Sequence, residues 1–294
     1  MNNLTSSIND RFGHYVKLVR ADKPIGTLLL LWPMLWALWF VSAGKPGTAV
    51  LIVFLLGTFL MRSAGCAIND YADRNIDGAV KRTRSRPIVT GAVSPREALL
   101  VAASLAFVSF LLVLTMNRLT ILLSFVGVAL AAVYPFTKRV TYWPQLVLGL
   151  AFGWAVPMVC AAQTGQIGPT GWLIYLAAII WAFAYDTIYA MVDRDDDLLL
   201  GVKSTAIRLG RYDVAAVAMA QALVLLIVLM VGVSLSPGWI FITGITLAAA
   251  IAVWQLHLIR NRDPESCFKA FLANNYMGAA VFLGIAGQYV VART

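Results

Sequence analysis

Charge, histidine and cysteine are all scarce in this chain. Asp, Glu, Lys and Arg together make up 13% of its 294 residues and hydrophobic residues 60%, at a mean hydropathy of +0.79. That balance excludes an ordinary water-soluble domain. The three cysteines, Cys66, Cys160 and Cys267, stand singly without paired spacing, which speaks for reduced, packed thiols and against a disulfide framework or a zinc site. The two histidines, His14 and His257, form no Ser-His-Asp arrangement, and no glycine-rich phosphate loop is present, so neither a hydrolase nor a nucleotide-driven machine gains support. The opening residues lack the basic start and short apolar core of a cleavable signal; residues 6–23 read instead as a polar, amphipathic segment.

Long apolar runs are abundant. About nine of them, roughly twenty residues each, cover 24–43, 47–68, 95–116, 119–137, 143–163, 170–192, 213–234, 237–258 and 270–291; at about 1.5 Å per helical residue, each crosses a hydrocarbon core about 30 Å thick. Lipid offers no partner to exposed backbone groups, and the runs are too long and too uniform for barrel strands. The expected fold class is therefore an all-α membrane protein. The 23 Lys and Arg set its orientation: all but Lys45, Arg62, Arg118 and Arg293 fall on one side of the alternating runs. That asymmetry puts the N-terminus in the cytoplasm and the C-terminus outside, in a bacterial plasma (inner) membrane. The net charge of +9 then calls for no nucleic-acid partner. A single integral membrane domain over residues 1–294 is expected, with 1–23 as a cytoplasmic N-terminal segment.

Acidic residues number only 14, and eight of them sit in two short clusters. The first, Asn69-Asp70-x-x-Asp73-x-x-x-Asp77, follows the second apolar run; the second, Asp186 with Asp193, Asp195, Asp196 and Asp197, closes the sixth. If each continues its helix, Asn69, Asp73 and Asp77 share one face, and so do Asp186, Asp193 and Asp197. Like charges one turn apart repel, and carboxylates at a helix C-terminus oppose the macrodipole, so both clusters call for compensation. Mg²⁺ would supply it, since that ion takes oxygen ligands and is commonly shared between one or two carboxylates and substrate phosphates. Solvated loop ends are the bland alternative for one cluster, and a poor account of two alike on the same side. An offset of 120 residues superposes Asp73 and Asp77 on Asp193 and Asp197, and basic residues follow both pairs: Lys81, Arg82, Arg84 and Arg86, then Lys203, Arg208 and Arg211. The pattern reads as two repeated halves, each giving metal ligands and then phosphate-binding cations, a set suited to a diphosphate.

These motifs resemble the two signatures of the UbiA superfamily of intramembrane prenyltransferases, and within it the bacterial branch that prenylates 4-hydroxybenzoate for ubiquinone. The supporting stretches are Asp22-Lys23-Pro24-Ile25-Gly26, Leu31-Trp32-Pro33, Asn69 to Gly78, Tyr134-Pro135-Phe136-Thr137-Lys138-Arg139, Tyr189-Ala190 and Gly201-Val202-Lys203-Ser204-Thr205. The resemblance spans essentially the whole chain and implies a UbiA-like helical bundle. It also implies transfer of a polyprenyl group from a polyprenyl diphosphate to the ring carbon ortho to the hydroxyl of 4-hydroxybenzoate, with diphosphate released.

By that resemblance two Mg²⁺ ions are held by Asn69, Asp73, Asp77, Asp193 and Asp197, with Asp186 as a further ligand, and stabilise the departing diphosphate. Arg82, Lys138, Arg139 and Lys203 are the expected diphosphate partners, against a plainer role at lipid headgroups. Tyr71, Tyr134 and above all Tyr189 adjoin the motifs and could shield an allylic cation, or simply anchor at the interface. Trp32, Trp36 and Trp39 read as lipid-facing or core residues and not as catalytic ones. Arg62 is the one cation within an apolar run, seven residues before Asn69 and on its face, about 10 Å deeper by the helical rise. There its guanidinium would clamp the acceptor carboxylate in a bidentate pair, or else pair with a motif aspartate. Other readings stay open: a naphthoate, haem or other acceptor for the same chemistry, or a secondary transporter, which would keep its acids nearer the bilayer midplane. No protein partner is called for.

Overall fold

In a computed structural model the residues described are 11–79, 82–137, 139–235 and 238–292. They form helices α1 (residues 11–18), α2 (Ile25–Val41), α3 (Thr48–Asp73), α4 (Pro95–Val113), α5 (Arg118–Thr137), α6 (Pro144–Gly153) and α7 (Ala155–Thr164). There follow α8 (Pro169–Val192), α9 (Arg194–Leu200), α10 (Thr205–Leu209), α11 (Asp213–Leu235), α12 (Trp239–Ile259) and α13 (Pro264–Val291). Among the described residues there is no strand, so the all-helical expectation holds. Eight stretches are long and apolar enough to cross a membrane, and α2, at 17 residues, is a shorter apolar helix. Together they match the expected runs. The protein is a multi-pass membrane protein.

Departures from the expected runs have local causes. The run predicted at 143–163 is broken into α6 and α7 at Trp154, because Pro157 has no N–H to give the carbonyl of Gly153 four residues back. The last helix starts at Pro264, six residues before the predicted 270. Its N-cap Asp263 accepts from the Ser266 N–H at 2.9 Å, with Pro264 in the first turn, a start signal that carries a helix into polar sequence.

The chain divides into two compact units, one of Met1–Thr27 and Leu55–Thr115, the other of Leu28–Phe54 and Met116–Thr294. In the first, Leu18 of α1 is fully buried and packs with Ala64 and Ala67 of α3, Ile88 and Val93 of the α3–α4 connection, and Ala98 and Ala102 of α4. In the second unit a core of small residues, Ala184, Ala190, Ala206, Ala220 and Ala270 among them, surrounds Ile188, Met191 and Ile259. Small side chains let helix backbones approach where no hydrophobic force drives helices together. Of the tryptophans of the first apolar run, Trp36 is fully buried, its ring centroid 5.2 Å from that of Trp181, which is fully buried as well. Their indole N–H groups donate to the Gly278 carbonyl and to Asn274 Oδ1, each at 3.1 Å, so neither buries an unmet donor.

Candidate active site

In the first unit α3 carries its apolar run straight into the first acidic motif and ends on Asp73. The Asp77 N–H donates to the Asp73 carbonyl at 2.9 Å, so the turn after the helix keeps these two carboxylates one turn apart although the helix has ended. Asp70, Asp73 and Asp77 are all buried, at 2%, 1% and 5% exposure. Burying carboxylates is costly unless cations accompany them. Arg20 Nη2 donates to both carboxylate oxygens of Asp70, at 2.9 and 3.2 Å, and Arg86 Nη1 reaches Asp70 at 3.0 Å and Asp77 at 2.6 Å. Arg20 stands 50 residues before its partner, a pairing that no local spacing signals. Thr83 donates to the Asp77 carbonyl at 2.8 Å and Arg74 to the Tyr71 carbonyl at 2.7 Å while lying 4.3 Å from the Tyr71 ring centre, so the basic loop is folded back on the motif. Arg82 is exposed.

In the second unit the matching helix, α8, ends at Val192, and the expected continuous stripe from Asp186 through Asp193 to Asp197 is interrupted there. Asp193 takes φ −97° and ψ 6°, off the helical geometry, and a new short helix, α9, begins with Arg194. The correction is local. Asp186 remains on α8, while Asp193 and Asp197 belong to the new turn, where the Asp197 N–H donates to the Asp193 carbonyl at 2.8 Å. That is the backbone arrangement of Asp73 and Asp77, at the position 120 residues on. Five consecutive polar residues, Asp193 to Asp197, begin at the break, and four of them are aspartates, which favour helix ends over helix interiors.

The basic stretches of the second unit converge. Lys203 Nζ donates to the Val140 carbonyl at 3.2 Å and lies 5.3 Å from the Tyr142 ring centre, which brings it beside the loop bearing exposed Arg139, itself 5.7 Å from the Phe136 ring. Lys138 lies outside the described residues. The Lys203 loop is tied down from beneath: the Thr205 N–H donates to Gln145 Oε1 at 3.3 Å, and the Thr205 and Thr187 hydroxyls bond at 2.8 Å, all fully or nearly fully buried. Thr187 adjoins Asp186, so one short relay connects the helix carrying an acid to the loop carrying a cation. Fully buried Asp213 accepts from Arg262 Nε and Nη2 and, at 3.4 Å, from Arg194. The carboxylate holds the Arg262 guanidinium above its ordinary pKa through these hydrogen bonds. Asp213, Arg262, Gln145 and Thr187 escaped the sequence reading, because no local spacing links any of them to its partner. Tyr189 packs on Phe271 at 4.7 Å and Tyr134 on Phe152 at 6.3 Å, which gives both rings the packing role alongside any other.

Arg62, half-buried on α3, donates from Nη1 to Cys66 Sγ at 2.8 Å. For metals, the expected donor set is oxygen throughout, the carboxylates joined by the amide of Asn69 on α3. Among the described residues no three His, Cys, Asp or Glu side chains gather into a complete protein cage. One-turn pairs of carboxylates suit Mg²⁺ that draws its remaining ligands from water and phosphate, and do not suit an all-protein site.

Residues 30–280 match the family model described as the UbiA prenyltransferase family. The chain is 56% identical over 277 residues to the 4-hydroxybenzoate octaprenyltransferase of Aeromonas salmonicida, covering 94% of this chain and 96% of that protein. It is 55% identical over 271 residues to the one of Vibrio cholerae, covering 92% and 95%. Among solved structures, the apo structure of a UbiA homolog from Aeropyrum pernix superposes with a TM-score of 0.77 at 27% identity, over 91% of this chain and 98% of that one. A UbiA homolog from Archaeoglobus fulgidus bound to GPP and Mg²⁺ shares the fold, with a TM-score of 0.68 at 19% identity over 96% and 100%. This chain belongs to the UbiA prenyltransferase family.

Proposed function

We propose that this protein transfers a polyprenyl group from a polyprenyl diphosphate to the ring carbon ortho to the hydroxyl of 4-hydroxybenzoate, releasing diphosphate, in ubiquinone biosynthesis. The observation that carries the chemistry is the repeated backbone turn at Asp73/Asp77 and Asp193/Asp197. The acceptor follows from relatives more than 50% identical over nearly the whole chain, whose names also put an octaprenyl group on the donor.

In this reading Asn69, Asp73 and Asp77 hold one Mg²⁺, and Asp193 and Asp197, with Asp186, a second. Bound there, the metal supplies Lewis-acid stabilisation to the leaving diphosphate. Arg82, Lys138, Arg139 and Lys203 hold the remaining phosphate oxygens. As the allylic C–O bond breaks, its electron pair leaves with the diphosphate, and the ring attacks the allylic carbon through the position that its hydroxyl activates. The ring proton is then lost to restore aromaticity. Tyr189, with Tyr71 and Tyr134, offers ring faces to the transient cation and excludes water. Arg62 holds the acceptor carboxylate and so selects an aromatic acid. The basic excess on one side puts the N-terminus in the cytoplasm and the C-terminus in the periplasm, with the protein in the inner membrane.

The test uses purified protein in detergent with Mg²⁺, a set of polyprenyl diphosphates, and 4-hydroxybenzoate beside a naphthoate and homogentisate. Prenylated 4-hydroxybenzoate identified by mass, with equimolar pyrophosphate, is expected. Preference for another acceptor overturns the substrate assignment, and pyrophosphate release without any prenylated acceptor overturns the transferase reading.

A further inference from the structure

The surroundings of Arg62 include a residue whose identity the helix alone does not explain. Gly26 is the second residue of α2, a place where glycine lowers helix stability relative to alanine. Its φ is not among the positive values seen at Gly44, Gly91, Gly165, Gly201 and Gly210, so backbone freedom is not what glycine supplies there. Space is. A Cβ placed on Gly26 would lie 2.5 Å from Arg62 Nη2, 2.6 Å from Nε and 2.9 Å from Cζ, all inside van der Waals contact. The Nε–Nη2 edge of the guanidinium fills the volume that any side chain at 26 would occupy. On its other edge Nη1 donates to Cys66 Sγ at 2.8 Å, one helical turn along α3.

We infer that Gly26 and Cys66 are positioning residues for Arg62, Gly26 by leaving room for the Nε–Nη2 edge of the guanidinium and Cys66 by fixing its rotation there through Nη1. A planar fork recognises a carboxylate only if its orientation is set beforehand, since a long side chain otherwise loses rotamer freedom on each binding event. The inference rests on the proposed acceptor role of Arg62. The atoms in the way are the far end of a flexible side chain, so Gly26→Ala leaves the fold intact and moves the guanidinium instead.

The experiment is a double-mutant cycle on the purified full-length protein, reading kcat, the KM for 4-hydroxybenzoate, the KM for polyprenyl diphosphate and the melting temperature. Gly26→Ala and Arg62→Ala should each raise the 4-hydroxybenzoate KM by about tenfold or more, the order expected for losing a charge-assisted pair, with the diphosphate KM and the melting temperature nearly unmoved. The double variant should match Arg62→Ala alone, because a slot without its occupant has nothing left to position. Cys66→Ser, which keeps an acceptor, should raise that KM less than Cys66→Val. Additive effects in the cycle, or a Gly26→Ala variant whose KM is unchanged, overturn the inference; a purely structural glycine predicts an equal or higher melting temperature and no KM change. If Arg62→Ala moves the diphosphate KM instead, the acceptor role of Arg62 fails. The positioning inference then stands only if Gly26→Ala moves that same constant non-additively.

Discussion

Asp70 and Asp73 sit three residues apart on α3, equally buried, and the family resemblance treats them differently. Asp73 belongs to the proposed metal set, whereas Asp70 is committed to Arg20 and Arg86 at 2.9 and 3.0 Å. Substitution should separate the two roles. Asp73→Ala and Asp193→Ala should each lower turnover by orders of magnitude with little change in melting temperature, and EDTA should silence the wild type until Mg²⁺ is restored. Near-normal turnover in either variant would sink the paired-metal scheme. Asp70→Asn should act on stability, because removing one partner of a buried pair strands the other charge, at a cost of about 3 kcal/mol. A detergent-solubilised Asp70→Asn protein that melts with the wild type would show that the arginines find equal partners elsewhere. The acidic motif was legible as a motif, but which of its members is structural was not, since the deciding cation, Arg20, comes from a distant helix end.

Helices in lipid associate through close contact, and the α12–α13 pair shows how close. A Cβ on Gly244 would meet the Gly284 Cα at 2.6 Å and the Ala280 carbonyl at 2.8 Å, so at this crossing backbone touches backbone. Gly244→Leu should therefore destabilise the protein by about 1 to 3 kcal/mol or more through overpacking. Leu283→Ala, which trims a side chain 66% exposed, should do little. Equal melting temperatures for the two variants would mean that the pair is loosely packed. At this scale the apolar runs announced nearly every element, and the ends were set by readable signals: Pro95 after the Ser94 and Glu97 capping box for α4, and Asp263 with Pro264 for α13. The break after α8 was missed, because helical periodicity carries through Asp193 on paper. In the structure the helix ends at Val192, where the five polar residues Asp193 to Asp197 begin.

For the whole chain, orientation is the property still open to direct measurement. The basic asymmetry predicts that single cysteines engineered into the 163–169 and 235–237 loops react with a membrane-impermeant maleimide in intact cells, while one in the 78–94 loop reacts only after permeabilisation. Labelling of the 78–94 loop from outside would move the first acidic motif to the wrong side for a cytoplasmic substrate. The native Cys66, Cys160 and Cys267 are all buried, so the background of that experiment is low.

What the amino-acid order determined by itself is whatever depends on the solvent and on near neighbours. Apolar runs of membrane-spanning length in a lipid solvent leave the helix as the only backbone arrangement with its groups satisfied, and the recurrence of Asp-x-x-x-Asp fixes carboxylates one turn apart wherever the turn closes. Tertiary structure alone decided the long-range partnerships. Arg20 and Arg86 share Asp70, Gln145 and Thr187 hold the Lys203 loop through Thr205, and Gly26 gives up its side chain to the guanidinium of Arg62. Each of these joins residues remote in sequence, where identity constrains what a side chain is able to do but only packing determines which neighbour it meets.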